Sequence, residues 1–186
     1  MEAKQRAARL AALLLEDCTQ LLHLYTERES LSPTPPVAGG QLVKLPPLDA
    51  LSSAERLCFL HAALSECRLL LDEAIKREDE QFVLQGDEYK TQRGTVKDRL
   101  GHLLLSTERL LEDSKRCAAS VAEIPDSLDS GTFAVKFWIL QVLQDLVHWS
   151  KQTSRTLQAM STETEKKPRS RRARRELRRH QGRQRK

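Results

Sequence analysis

The sequence predicts an all-α protein: a long-chain four-helix bundle of up-up-down-down topology, with a disordered basic C-terminal tail. Three observations carry this. Apolar residues recur at spacings of three, four and seven through four long stretches, the period of a helix with one buried face. Helix breakers are concentrated between those stretches, with Pro33, Pro35, Pro36, Gly39, Gly40, Pro46 and Pro47 all falling within residues 30–51. Charge is segregated: residues 166–186 hold twelve Lys/Arg against Glu176 alone, and because the whole chain is +5, residues 1–165 carry a net −6. The domain division is therefore a bundle over 1–165 and a tail over 166–186, too poor in apolar residues to offset its own chain entropy.

The first helix is expected from about Glu2 to Glu29, with Ala7, Leu10, Leu14, Cys18, Leu21 and Tyr25 on its inner stripe. The second opens at Ser52, where Glu55 three residues on makes a capping box, and runs to about Glu80 before the Gly86-Asp87 stop. Its inner stripe is Leu57, Leu60, Leu64, Cys67, Leu71 and Ile75. The third helix starts either at Asp87 or at Thr95, where Thr95 and Asp98 offer a second cap. Gly94 and Gly101 each cost it about 1 kcal/mol, and Val96, Leu100, Leu103, Leu104, Leu110 and Leu111 carry it toward Pro125. The fourth is expected from about Thr132 to Met160, fading through Ser161-Thr-Glu-Thr, with Lys136, Leu140, Leu143, Val147, Ser150 and Leu157 near one stripe.

Loop lengths choose the topology. A helix of ~26 residues is about 39 Å long, and the 22 residues of 30–51 reach roughly 70 Å, enough to return along the bundle and set the second helix parallel to the first. The link to the third helix is short, so that pair is antiparallel. Residues 123–131 reach only ~30 Å, so parallel third and fourth helices require the stretch near Cys117–Ser120 to unwind. In this arrangement the first two helices are diagonal, and Cys18 and Cys67 face the core without bridging. Cys58 and Cys67 lie nine residues apart on opposite faces of one helix. Cys58 with Cys117 is the one pair that neighbouring antiparallel helices bring to the same end; four buried free thiols are the alternative.

No catalytic or metal constellation is present. There is no CxxC pair, no ExxH beside Glu108 and Glu112, no Gly-rich phosphate loop and no GxSxG. The chain has no Asn, which excludes N-glycosylation, and no apolar run long enough to span a bilayer. The N-terminus lacks a secretory h-region and cleavage site, implying a leaderless protein or a mature form. No cofactor is expected.

The start of the fourth helix is the most informative surface. Phe133 follows the Gly131-Thr132 break, and Trp138 and Trp149 sit off the centre of the expected stripe. Apolar surface outside a core face is usually offered to a partner; the other reading folds Phe133 back onto the bundle as a staple.

These residues carry a resemblance. Leu51-Ser-Ser-Ala-Glu-Arg-Leu57, the Asp17, Thr19, Tyr25, Leu31 series, Phe133 through Trp149 and, more weakly, Ile124-Pro125 resemble the interleukin-6 cytokine family in its ciliary neurotrophic factor, cardiotrophin and leukaemia inhibitory factor subgroup. The last helix shares the family's Phe-x-x-Lys pair, both Trp and the Leu-Gln-acidic-Leu run. The resemblance implies a secreted cytokine and neurotrophic factor that joins leukaemia inhibitory factor receptor to the shared signal-transducing chain and triggers JAK-STAT signalling. It implies that Phe133 and Lys136 contact leukaemia inhibitory factor receptor, with Trp138 beside them, and that the shared chain docks on exposed faces of the first and third helices. An alpha receptor in this family engages the end of the last helix, here around Gln152 and Arg155. The basic and acidic residues the family carries after the second Trp are replaced by Gln152 and Thr156.

The tail offers a polyanion site through Lys166, Lys167, Arg169, Arg171, Arg172, Arg174, Arg175, Arg178 and Arg179. Its candidate partners are polyanions, namely heparan sulfate, nucleic acid or acidic lipid, and the absence of Trp, Tyr and Phe argues against base stacking. Arg169-Ser-Arg-Arg172 and Arg172-Ala-Arg-Arg175 resemble furin-type processing sites. The alternative function is an intracellular helical adaptor whose tail binds nucleic acid or directs nuclear import.

Overall fold

The computed structural model describes residues 2–32, 41–81, 88–111, 117–121 and 131–166. The Pro33–Gly40 stretch, the Gly86-Asp87 stop, Glu112, Ile124-Pro125 and the tail after Lys166 lie outside the described residues. Four helices, α1 (Glu2–Glu29), α2 (Ser53–Gln81), α3 (Glu88–Leu110) and α4 (Thr132–Lys166), are joined by crossovers that contribute two short strands, β1 (Val43–Lys44) and β2 (Ser120–Val121).

Each boundary has a local cause. At the end of α1, Leu31 N–H donates to Thr26 O at 3.0 Å and Ser30 N–H to Glu27 O at 3.3 Å, while Ser30 takes a left-handed φ of 52°. That is a Schellman closure with serine where glycine is usual. At the start of α2 the expected capping box forms: Ser52 N–H donates to Glu55 Oε2 at 3.0 Å and Glu55 N–H to Ser52 Oγ at 3.3 Å. The hydrogen bonds from Ser52 hold the Glu55 carboxyl below its ordinary range. α3 starts at Glu88, so Gly94 and Gly101 are both interior to it and the Thr95 cap is not used. Thr95 Oγ1 instead donates to Thr91 O within the helix.

Contacts between helices fix their directions. Tyr25 meets Lys136 and Cys18 meets Ser150, so α1 and α4 are antiparallel. Gln92 donates to Asp17 O at 3.1 Å, and Arg99, two turns further along α3, reaches back to Leu13 O at 3.5 Å, so α1 and α3 are antiparallel. His61 bonds Thr107 and Glu78 bonds Arg93, so α2 and α3 are antiparallel. The ends of α1 and α2 meet through Arg28 and Glu78, which makes those helices parallel: up-up-down-down. The core is lined from all four helices, with Leu14, Leu21, Leu64, Leu71, Leu100, Leu103, Leu143 and Leu146 fully buried; burying each leucine contributes about 1.5–3 kcal/mol.

The two crossovers pin one another. β1 and β2 pair antiparallel, Val43 opposite Val121 and Lys44 opposite Ser120. Val43 is fully buried, and its N–H donates to the Asp145 carboxylate of α4 at 2.8 Å. Cys117 is disulfide-bonded to Cys58, with Cα atoms 5.7 Å apart, while Cys18 and Cys67 are free and buried. The stretch Cys117–Ser120 is not helical, as parallel α3 and α4 require, and α3 ends earlier than expected, at Leu110.

Three expectations are corrected. α4 continues to Lys166, so Ser161–Thr164 belong to the helix. Ile75 and Leu10 are only partly buried. The inner face of α4 is broader than one stripe and is phased differently: Val135, Trp138, Ile139, Val142, Leu146 and Trp149 are buried, whereas Lys136 and Val147 lie at its margin. Trp138 and Trp149, at 4% and 5% exposure, are core residues. α4 packs along both α1 and α2, so apolar positions flanking the expected stripe find a second neighbour instead of solvent.

Candidate receptor-binding surface

The surface at the start of α4 begins with backbone geometry. Gly131 has φ +98°, a conformation that L side chains rarely adopt, and its carbonyl accepts Ala134 N–H at 3.1 Å. The chain turns into α4 there with Phe133 pointing outward. Phe133 is 69% exposed, the most exposed large apolar residue among the described residues. Its ring stacks on Phe137, centroids 6.5 Å apart and 18° between planes. Phe133 is not folded into the core as a staple.

Lys136 lies one turn on. Its ammonium pairs with Glu29 at the end of α1, and its backbone carbonyl accepts the Tyr25 hydroxyl at 2.8 Å. Burial alone would raise the Glu29 carboxyl, but hydrogen bonds from Lys136 and Arg28 hold it below the usual carboxylate range.

Behind this pair runs a buried polar network contributed by the ends of α1 and α2 and the start of α3. Arg28 Nε reaches Glu29 and Arg28 Nη2 reaches Glu78, both at 2.8 Å. Glu78 also accepts Arg93 Nη1 at 2.8 Å and the Tyr89 hydroxyl at 3.0 Å, and Arg93 Nη2 pairs with Asp79 at 2.8 Å. The Arg28 guanidinium sits 4.0 Å from the Tyr89 ring centroid and 5.3 Å from that of Tyr25. Glu78 is 1% exposed, and three donors satisfy it, which is what a buried carboxylate requires. Charges balance: Glu29, Glu78 and Asp79 face Arg28, Arg93 and Lys136. Nearby, Arg77 lies 5.0 Å over the Trp138 ring and binds Glu73 at 2.7 Å.

The sequence-predicted residues therefore divide. Phe133 and Lys136 share one exposed ledge. Trp138 lies beneath it, covered by Arg77, and does not join the surface. Gln152 is half-buried and Arg155 exposed, about six turns along α4, while Thr156 is buried. Lys166 ends the helix, and Lys167, Arg169, Arg171, Arg172, Arg174, Arg175, Arg178 and Arg179 lie outside the described residues. Sequence reasoning missed Glu78, Tyr89 and Arg93. The signal was present: Glu78 is seven residues from Leu71, and Tyr89 and Arg93 are seven and three from Val96, so all three lie in phase with the apolar stripes. A glutamate and an arginine in core phase on neighbouring helices predict a buried pair. Among the described residues no group of His, Cys, Asp or Glu is arranged to hold a metal ion, and no helix is long and apolar enough to cross a membrane.

Two parallel helix pairs, long crossovers clasped by a strand pair, and an exposed aromatic next to a held lysine at the head of the last helix define a long-chain helical cytokine. The chain belongs to the ciliary neurotrophic factor family, whose family model matches residues 2–176. No curated protein matches it significantly. It is accordingly a cytokine of the interleukin-6 type, an extracellular receptor-binding signalling factor and not an enzyme. The intracellular adaptor reading is set aside on this ground.

Proposed function

We propose that the protein signals by joining leukaemia inhibitory factor receptor to the shared signal-transducing chain of the interleukin-6 family, and so drives JAK-STAT signalling. Phe133 and Lys136 form the contact for leukaemia inhibitory factor receptor. The observation that carries this is the 69% exposure of Phe133 beside Lys136, on a ledge braced by a charge-balanced buried network in which Glu78 accepts from three donors. An aromatic anchor beside a fixed charge on a rigid base is the composition of a binding hot spot. Exposed faces of α1 and α3 supply the contact for the shared chain. Gln152 and Arg155 on α4 are the positions for an alpha receptor, and Arg155 is the more accessible of the two. The basic residues from Lys166 onward bind heparan sulfate, and truncation at about Glu165 removes heparin retention without loss of helical content or receptor activation.

Surface plasmon resonance against immobilised leukaemia inhibitory factor receptor ectodomain tests the reading. Phe133→Ala and Lys136→Ala each cost on the order of 2 kcal/mol or more in binding and abolish STAT phosphorylation in responsive cells. A Phe133→Ala protein with reduced melting temperature and unchanged affinity overturns it.

A further inference from the structure

We infer that Glu29, at the end of α1, is a positioning residue for this surface: it fixes the Lys136 ammonium so that the lysine is presented to the receptor already ordered. The inference rests on the reading of Phe133 and Lys136 as the receptor contact, and names a residue on a different helix that this contact depends on.

The geometry has three parts. Glu29 is bonded on two sides, by Lys136 and by Arg28 Nε at 2.8 Å, so its own carboxylate is anchored. Arg28 is in turn anchored by Glu78 at 2.8 Å, and Glu78 by Arg93 and Tyr89. The chain of contacts thus runs from the buried centre of the network outward to Lys136. Finally, Tyr25 holds the Lys136 backbone from below at 2.8 Å, so both ends of the lysine are tied to α1. A lysine side chain loses considerable rotamer freedom when a partner immobilises it. Here that ordering is completed within the folded cytokine.

Charge separates positioning from masking. The network is neutral with Glu29 ionised, so Lys136 contributes no strong long-range steering, and its contribution falls on the dissociation rate. Glu29→Gln leaves one positive charge uncompensated. If Glu29 only competed with the receptor for Lys136, its loss would tighten the complex. If Glu29 positions Lys136, its loss raises the dissociation rate without lowering the association rate.

The test is a double-mutant cycle in receptor binding, with wild type, Glu29→Gln, Lys136→Gln and the double variant measured on the immobilised ectodomain, and Phe133→Ala alongside. Circular dichroism and thermal unfolding are recorded for each. Glu29→Gln is expected to weaken binding roughly three- to ten-fold, through the dissociation rate, and to have no further effect in the Lys136→Gln background. Should the Gln variant not fold, Glu29→Asp, which keeps the charge but shortens its reach, replaces it in the cycle, with a smaller loss and the same dependence on Lys136. Wild-type protein that does not bind the ectodomain, or Phe133→Ala that binds as well as wild type, overturns the receptor reading and this inference with it. Phe133→Ala that loses binding while the Glu29 variant binds equally well or more tightly overturns the inference alone. So does an equal loss with and without Lys136, which would make Glu29 an independent contact or a purely structural residue.

Discussion

Tyr25 and Lys136 are 111 residues apart in sequence and joined by a 2.8 Å hydrogen bond from the phenol to the backbone carbonyl. This bond closes α1 onto the first turns of α4. It sits directly under the Phe133 ledge, with the Tyr25 ring fully buried and tilted 41° against Tyr89 at 5.7 Å. Tyr25→Phe keeps the packing and removes only the donor. It is expected to destabilise the fold by about 1 kcal/mol, measured by chemical denaturation, and to loosen the α4 backbone at Lys136, visible as faster amide hydrogen exchange around that turn.

Phe133 and Trp138 make a matched pair of controls on the same helix. Phe133 is 69% exposed and Trp138 is 4% exposed. Phe133→Ala is therefore expected to change stability by no more than about 0.5 kcal/mol, while Trp138→Ala costs about 3–5 kcal/mol. Paired urea titrations check this. Equal losses would mean that the Phe133 ring is part of the core.

The contrast shows where the sequence was legible. Helix number, the α1 limits, the Ser52–Glu55 cap, the crossover logic and the Cys58–Cys117 pairing follow from local rules: period, capping chemistry, breaker placement and loop reach. The unwound stretch at Cys117–Ser120 was legible too, because a distance constraint demanded it. Trp138 and Trp149 were misplaced because a single helical period describes packing against one neighbour, and α4 lies in the groove between two. The β1–β2 clasp was invisible because two-residue strands carry no periodic signal. Phe133 was legible as a large aromatic at a helix start, but its receptor role and the pairing with Lys136 came only through the resemblance to a family. The Glu29 and Arg28 contacts behind them depend on which helix ends meet, which no local pattern encodes.

The Cys58–Cys117 disulfide spans 59 residues and fastens the second crossover to the first turns of α2. Because Cys117 is three residues from the β2 strand that pairs with β1, opening the disulfide also releases the strand clasp. Cys58→Ser with Cys117→Ser is expected to lower stability by about 2–4 kcal/mol with little change in helical content. Differential scanning calorimetry with and without reductant on the wild type gives the same measurement without substitution.

Gly94 lies inside α3, exposed, and a Cβ built on it meets nothing within 4 Å. Nothing in the fold repays its extra unfolded-state freedom. Gly94→Ala should therefore stabilise the protein by about 0.5–1 kcal/mol, seen as a higher melting temperature with unchanged receptor binding. At Gly101 the added Cβ comes 3.5 Å from Arg68 Nη1, an ordinary contact with the end of a flexible side chain, so Gly101→Ala should give a similar but smaller gain.

Asp145 gives the stability a defined pH dependence. It is 4% exposed and lies among Val43 of β1 and Cys67 of α2. Burial pushes its carboxyl from the ordinary 3.8 up to about 6, and the backbone N–H groups of Val43 and Leu42 only partly oppose that. The native state therefore holds a proton that the unfolded chain has already released between pH 4 and 6. By linkage, stability falls as pH rises through that window. The contribution is fully present below about pH 4 and absent above about pH 6. Asp145→Asn removes this titration while keeping an oxygen acceptor for Val43. The difference in unfolding free energy between wild type and Asp145→Asn, measured by urea titration at intervals from pH 4 to 7, should shift against the wild type by on the order of 2 kcal/mol across the series. All other titrating groups are common to both proteins and cancel in that difference. A flat difference would mean that the fold leaves the Asp145 carboxyl unshifted, and one that moves in favour of the wild type as pH rises would mean that the clasp between the first crossover and α4 holds the ionised form.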